Sequence, residues 1–431
     1  MPFGLVRYGV APDHQEIKNV INSFTTVANS DRVNFYGNVN LGKDILLDDL
    51  IGAYHAVVLC YGSAQDKMLQ IDGEDSLNTI SARNFVGWYN GVPEDKNLDI
   101  NLDCDTACII GQGNVALDCA RILLRPPTLE KTDITRHAQQ VLSKSKIRKI
   151  YIIGRRGPIQ TSFTIKELRE LIKLNESGTR LDPDTIFQDY GVTQSNLVKL
   201  SRPRRRLTEL LLNVSANKSW DHLQEKVAPN VECIFKFMSK PLRINSDFKT
   251  GRVCQLELQR TEYPSTAIFM DEKARPLEID EYEVINCGLI IRSIGYKAVM
   301  IDSNLPKDNE KGAILNTDGR VHGHSSLYCS GWLATGATGV IAGTLNSSQI
   351  TAKSLLDDID SKRLTSVKYE RPGSKLIMRT LEAKSVQVVH FNEWLRIDDL
   401  EKRLGAVVGK NREKLVDVEK MLRVASGLDH E

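Results

Sequence analysis

Residues 106–124 read TACIIGQGNVALDCARILL. The run before Gly111 is short and apolar, the look of a strand that a parallel sheet buries on both faces. Gly111, Gln112, Gly113, Asn114, Val115 and Ala116 follow in the pattern GxGxxA. In that pattern the first glycine makes a tight turn. The second lets backbone approach a pyrophosphate at a helix N-terminus, and the small sixth residue lets helix and strand pack closely. The stretch therefore predicts strand, turn and helix of a dinucleotide-binding α/β unit.

The next predicted strand, KIYIIGRR at 149–156, decides which nucleotide suits the unit. A site for an unphosphorylated ribose normally ends this strand with an acid. Here it ends in Arg155 and Arg156, and paired guanidinium groups suit a 2′-phosphate. The spacing exceeds that of a standard unit because residues 125–147 are inserted.

Upstream, Asp13 and Glu16 have the spacing of a helix capping box. Ile17, Val20, Ile21 and Phe24 then recur on one helical face. Residues 33–39 read as a strand, and YHAVVLCY at 54–61 as a strand buried on both faces. Helices are predicted at ISARNFVGWYN, around 133–145 and at 163–174. Strands are predicted near 230–237, 252–261 and 287–294. Residues 175–200 and 214–228 read as irregular. The final hundred residues read as a glycine-rich stretch, a helix and a polar tail.

The chain has 431 residues, which predicts two or three domains. The net charge of +2 gives no global attraction for nucleic acid. Eight cysteines without any CxxC pair argue against a disulfide framework, the usual zinc spacing and a dithiol redox centre. No apolar run reaches the length of a membrane span, and the first residues have neither signal-peptide nor transit-peptide character.

Two further features carry chemistry. The run Arg202-Pro203-Arg204-Arg205-Arg206, with Arg169 on the polar side of the KELREL helix, reads as a solvated face or as a docking patch for an acidic protein. Trp332 and the segment Gly339, Val340, Ile341 follow an apolar strand, and their backbone N–H groups suit the anionic edge of a flavin ring. The same stretch also reads as an ordinary glycine-rich loop.

Taken together, PFGLVRYGVAPDH, FYGNV, YHAVVLCYG, SARNFVGWYNG, GQGNVALDCARILL, GRRGPIQTSFTIKELRE, RPRRRLTELLL, LIIRSIGYK, LYCSGW and TGVI resemble, in order, the mitochondrial adrenodoxin (ferredoxin) reductase family. The resemblance implies an α/β protein of two Rossmann-like domains, an FAD domain interrupted by an NADP domain. Residues 1–65 and 297–431 would form the FAD domain, the latter with a C-terminal tail, and 66–296 the NADP domain. It implies NADP contacts at Gln112 to Val115, Arg155, Arg156, Glu167 and Gly339. FAD contacts would lie at Leu5, Leu41, Trp332 and Gly339 to Ile341. His14 and Asp118 match a pair that moves protons near the flavin, and Arg169, Arg202 and Arg206 match ferredoxin-docking arginines.

The implied activity passes electrons from NADPH through FAD to a [2Fe–2S] ferredoxin on the matrix side of the mitochondrion. That activity serves P450 steroid metabolism and iron–sulfur cluster biogenesis, with no metal of its own, and allows peripheral contact with the inner membrane. Two departures stand out: Ala337 where the family commonly has proline, and Asn411 in KNREKL where it has KPREKL. The family also carries a strand–GxGxxG–helix–strand unit before PFGLVR. The expectation is an FAD domain incomplete at its N-terminus, binding FAD poorly. The alternatives are a flavin-free NADP-binding fragment and another NADPH flavoprotein reductase, such as one feeding a glutamate synthase.

Overall fold

The computed structural model describes residues 1–124, 127–174, 178–216, 232–339, 341–364 and 370–428. Its strands, in chain order, are β1 (Val57–Leu59), β2 (Gln65–Asp66), β3 (Thr79–Ser81), β4 (Thr106–Ile110), β5 (Lys149–Ile153), β6 (Thr179–Asp182), β7 (Glu232–Lys236), β8 (Ser239–Ser246), β9 (Val253–Glu262), β10 (Leu277–Asn286), β11 (Leu289–Arg292), β12 (Tyr296–Lys297), β13 (Lys307–Asp308), β14 (Ala313–Ile314), β15 (Asn316–Thr317), β16 (Arg320–Val321) and β17 (Leu327–Cys329).

All five residues of β4 are buried, as an apolar run between two parallel neighbours requires. β4 lies between β11 and β5 in a six-stranded sheet of order β3-β11-β4-β5-β7-β6, in which every pairing is parallel. The helix Asn114–Leu124 springs from the end of β4 and packs its apolar face, including Ala116, Leu117 and Ala120, into the largest core. The carboxyl ends of β4, β5 and β11 sit side by side, because Ile110 is in register with both Ile153 and Arg292. In open parallel sheets that edge is where ligands bind.

A second sheet runs β1-β17-β16-β15, and a third, antiparallel, runs β10-β9-β8. β2 and β12 pair antiparallel, Tyr296 with Asp66 and Lys297 with Gln65. This two-residue ladder stands where the chain leaves the region of the β1–β17 sheet and where it returns to it.

Several expectations are corrected. Residues 33–39 do not form a strand: Gly37 makes only an isolated bridge to Val389. β1 is shorter than the apolar run that announced it and is an edge strand, with Val58 41% exposed, so its two faces are not both buried. The first helix breaks into Gln15–Lys18 and Val20–Ala28, and none of its apolar residues is buried. Asp13 caps nothing, because its carboxylate turns to Arg121.

The polar tail is three helices, Ser374–Ala383, Phe391–Val407 and Val418–Ala425. The last two bury Phe391, Trp394, Ile397, Leu400, Met421 and Val424 in a core of their own. Residues 175–200 include the edge strand β6. Of 214–228, residues 217–228 lie outside the described residues.

All eight cysteines are free thiols, five of them buried. Burial raises the thiols of Cys60 and Cys104, and carries those of Cys233 and Cys329 up to about 12. No helix among the described residues is long and apolar enough to cross a membrane.

The two glycines of the motif make opposite demands. Gly111 has φ +129°, and a Cβ there would lie 2.1 Å from the carbonyl oxygen of Ser293. Around Gly113 a Cβ would meet nothing within 4 Å. Gly111→Ala should therefore cost about 3 kcal/mol or more from strain and overpacking. That is a drop of roughly 6–12 °C in a thermal melt, while Gly113→Ala should leave the melt within about 1 °C. Equal shifts would mean that both glycines serve packing alone.

Candidate functional site

The turn after β4 is tied down from its far side. The carbonyl of Gln112 accepts the N–H groups of Ser162 (2.8 Å) and Phe163 (3.1 Å), and the Asn114 side-chain oxygen accepts that of Thr164 (2.8 Å). The Gln112 side chain lies against the end of β5, where a Cβ on Gly154 would come within 2.0 Å of it. Its amide nitrogen is buried without a hydrogen-bond partner among the described residues. The amide is buried against Gly154, while Gly113 leaves open space in which backbone can meet a ligand that brings acceptors.

Arg155 and Arg156 follow Gly154, the first exposed and the second half-buried. Burial lowers the Arg156 guanidinium, opposed by Tyr263, and the guanidiniums of Arg155, Arg204 and Arg275 lower it further. These guanidiniums thus act on one another beside the glycine turn, with Arg204 also paired to Glu272 (3.5 Å), and the positive corner suits a phosphate. Arg204 is also fixed from behind, donating to the Thr161 carbonyl (2.8 Å). Arg204 drew attention only as part of a basic run. Arg275 stands alone in EKARPLE and had no sequence signal at all.

His14 and Asp118 come together around a group that the sequence did not single out. Arg121 is completely buried on the helix Asn114–Leu124. Its guanidinium donates to Asp13 (3.0 Å), Asp118 (2.7 Å) and Glu167 (2.9 Å) and lies 3.0 Å from His14 Nε2. His14 Nε2 is also 2.6 Å from Glu170 Oε2. His14, Asp118 and Glu167 are close enough to share a cation, and the cation in their midst is Arg121.

Burial pushes the Asp118 carboxyl up to about 6; the pull of Arg121 opposes this, and the negative charge of Glu167 reinforces it. Glu167, expected on the nucleotide, accepts from Arg121 through one carboxylate oxygen (2.9 Å). Glu170, three residues further along the helix Ile165–Leu174, is the partner that sequence reasoning missed.

Around β17 the indole Nε1 of Trp332 and the hydroxyl of Ser330 are buried without partners among the described residues. Gly339 has φ +83° and open space where a Cβ would sit. These groups fit a second polar, planar ligand. Val340 lies outside the described residues, and Ile341 opens the helix Ile341–Asp360. Leu41 packs half-buried against the β1–β17 core. Leu5 is 41% exposed on a different element, the helix Gly4–Tyr8.

Arg169, Arg202 and Arg206 are exposed and unpaired among the described residues. They stand on two helices that touch, Ile165–Leu174 and Arg202–Ser215.

No family model matches the chain. Individual proteins do. It is 45% identical over 429 residues to the mitochondrial NADPH:adrenodoxin oxidoreductase of Salvelinus fontinalis, covering 99% of this chain and 84% of that protein. The chain belongs to the NADPH:adrenodoxin oxidoreductase family. The human member is 44% identical over 426 residues, 98% of this chain and 85% of the relative. Among solved structures, the Mycobacterium tuberculosis oxidoreductase FprA in complex with NADPH superposes with a TM-score of 0.88 at 33% identity, covering 99% of this chain and 91% of that one. As a member of this family the chain is an oxidoreductase, and the nucleotide fold read from GQGNVA is the fold it has.

The raised Asp118 carboxyl has a testable sign. Its pKa is about 6 folded against an ordinary 3.8. The group therefore favours the folded state increasingly as pH falls from 6 towards 3.8, and above 6 its ionisation is a constant cost. Carboxyl ¹³C NMR of aspartate-labelled protein should show one resonance titrating near pH 6 that disappears in Asp118→Asn. If no aspartate titrates above pH 5, the raised carboxyl is ruled out.

Proposed function

We propose that the chain passes electrons from NADPH, through bound FAD, to a [2Fe–2S] ferredoxin of the adrenodoxin type. The observation that carries this reading is the convergence of the open Gly113 turn and the arginine corner at the carboxyl ends of β4 and β5. The relatives' name, NADPH:adrenodoxin oxidoreductase, supports both ends of the electron path. Their mitochondrial designation supports a mitochondrial location, which in this reading is the matrix side. The ferredoxin in turn serves P450 steroid metabolism and iron–sulfur cluster assembly. Contact with the inner membrane, where it occurs, is peripheral.

The proposed division is 1–65 and 297–431 for the FAD part and 66–296 for the NADP part. The β2–β12 ladder, whose register brings residues 65–66 beside 296–297, supports it. In the NADP part, Gly113 lets backbone meet the pyrophosphate, Gln112 supplies a donor, and Arg155 and Arg156 hold the 2′-phosphate. In the FAD part, Trp332, Gly339 and the segment entering the following helix would hold the flavin, with Leu41 and Leu5 as further contacts. FAD, when bound, supplies the conversion of a two-electron hydride into single electrons that an iron–sulfur protein can accept. His14, with a proton at Nε2, would donate it to Glu170, and Asp118 would hold one at its carboxyl when protonated. Arg169, Arg202 and Arg206 present unpaired positive charge to an acidic partner.

Purified protein with visible flavin bands that bleach with NADPH would support this reading and overturn the expectation of poor FAD binding. Colourless protein that still binds NADPH would instead be a flavin-free binding protein.

Replacing both Arg155 and Arg156 with glutamine removes two charge-assisted contacts of about 1.5–3 kcal/mol each. NADPH binding, measured by calorimetry, should weaken by a hundredfold or more while NADH binding changes little. Equal loss for both nucleotides would refute the 2′-phosphate assignment.

Arg206→Glu should slow ferredoxin reduction about tenfold, and more at low salt, since charge steering is screened beyond about 10 Å at 0.1 M ionic strength. NADPH-driven reduction of a small dye should be spared. A parallel fall in both would make the arginine structural.

A further inference from the structure

Just past β11 the chain crosses from one proposed cofactor site to the other. Ser293 lies against the glycine turn. Its N–H donates to the Ile110 carbonyl (2.7 Å), and its own carbonyl oxygen is the atom that a Cβ on Gly111 would meet at 2.1 Å. Tyr296, three residues on, opens β12 and pairs with Asp66. Its ring centroid is 6.4 Å from that of Trp332, with the planes tilted by 31°. The short stretch Ser293 to Tyr296 thus links the turn that suits a pyrophosphate to the segment that suits a flavin.

The phenol of Tyr296 stands between the two. The ionisable groups that bear on it are Cys119, Asp66, Arg83 and Asp118. Cys119 and Asp118 lie on the helix Asn114–Leu124, within two turns of Gly113. Asp66 and Arg83 are engaged with each other (3.4 Å). The Tyr296 hydroxyl makes no hydrogen bond among the described residues, and it is not sealed from solvent as the hydroxyl of Tyr89 is. It is therefore a donor that a ligand can reach. Burial raises the phenol above its ordinary value, with Cys119 and Asp66 adding to this against the pull of Arg83. The group stays neutral, with its proton to donate, at any working pH.

One part of the dinucleotide has no residue yet. The arginine corner suits the 2′-phosphate at the adenine end, and Gly113 the pyrophosphate. What remains is the nicotinamide, which must lie towards the flavin for a hydride to pass. Nicotinamide carries a carboxamide, whose carbonyl oxygen accepts hydrogen bonds. Its ring is cationic once the hydride has left, and an aromatic face attracts a cation.

We propose that Tyr296 holds the nicotinamide end of NADPH, its hydroxyl donating to the carboxamide oxygen. The inference rests on the NADPH and FAD reading given above. It gives the β2–β12 ladder a second use, since the strand that returns the chain to the FAD part also places a phenol where the two cofactors approach. The Tyr296 ring is held against Trp332 from the flavin side, so removing the hydroxyl alone should alter a contact and leave the fold as it is.

Two ligands separate this role from one in packing. NADP⁺ carries the nicotinamide. Adenosine 2′,5′-bisphosphate keeps the 2′-phosphate and lacks it. With FAD in excess, calorimetry should show Tyr296→Phe binding NADP⁺ about three- to tenfold more weakly than the unaltered protein, the loss of one neutral hydrogen bond. The bisphosphate should bind both proteins equally. Tyr296→Leu, which also removes the ring, should weaken NADP⁺ further and again spare the bisphosphate, whose binding reports that the variant is folded. Unchanged NADP⁺ affinity in Tyr296→Phe, or an equal loss of both ligands in that variant, would overturn the proposal and leave the NADPH reading intact. Failure of the unaltered protein to bind either ligand would refute that reading, and the proposal with it.

Discussion

The guanidinium of Arg121 is the constraint on which the site depends. It is completely buried, yet it reaches Asp13, His14, Asp118 and Glu167 at hydrogen-bond distance. Those partners come from three separate segments: the N-terminal stretch, the helix that follows the glycine turn, and the helix Ile165–Leu174. One side chain therefore fixes the relative placement of all three. An arginine does this better than a lysine, because its planar fork offers five donors in fixed directions. The burial of so much charge is a poor source of net stability. Its effect is positional: removing the guanidinium would leave several carboxylates facing one another with no counter-ion.

That placement is connected to the parallel sheet. Because β4, β5 and β11 end in register, the turns that follow them open on the same edge. Gly111 can bend there only because it has no side chain to meet Ser293. The close fit of Gln112 over Gly154 then sets the glycine turn beside the arginines that follow β5. The chemistry of the corner is thus a consequence of strand register and of two glycines, more than of any single charged residue.

Much of this was legible from the chain. The GQGNVA turn and its flanking strand and helix could be read because short-range rules govern them: an apolar run, a turn that only glycine permits, and an apolar helical face. Arg155 and Arg156 could be read because they end a strand. Arg275 and Glu170 could not, since each reaches its place by tertiary packing and looks ordinary in sequence. The C-terminal helices were hidden by their charge, as Phe391–Val407 buries Phe391, Trp394, Ile397 and Leu400 but shows mostly charged residues elsewhere. Residues 33–39 misled for the opposite reason. Their composition favours a strand, but a strand needs a neighbour, and Gly37 finds only a single bridge. Asp13 misled because a buried guanidinium outcompetes a helix end for a carboxylate.

The thiols have one more consequence. Cys329 closes β17 three residues before Trp332, so it stands next to the segment read as the flavin's support. With its pKa near 12, only on the order of one molecule in 10⁵ carries a thiolate there at pH 7. The thiolate is the form that attacks peroxides and disulfides. The thiol of Cys329 is thereby chemically quiet: stray oxidant finds little thiolate to react with, and a mixed disulfide does not readily form there.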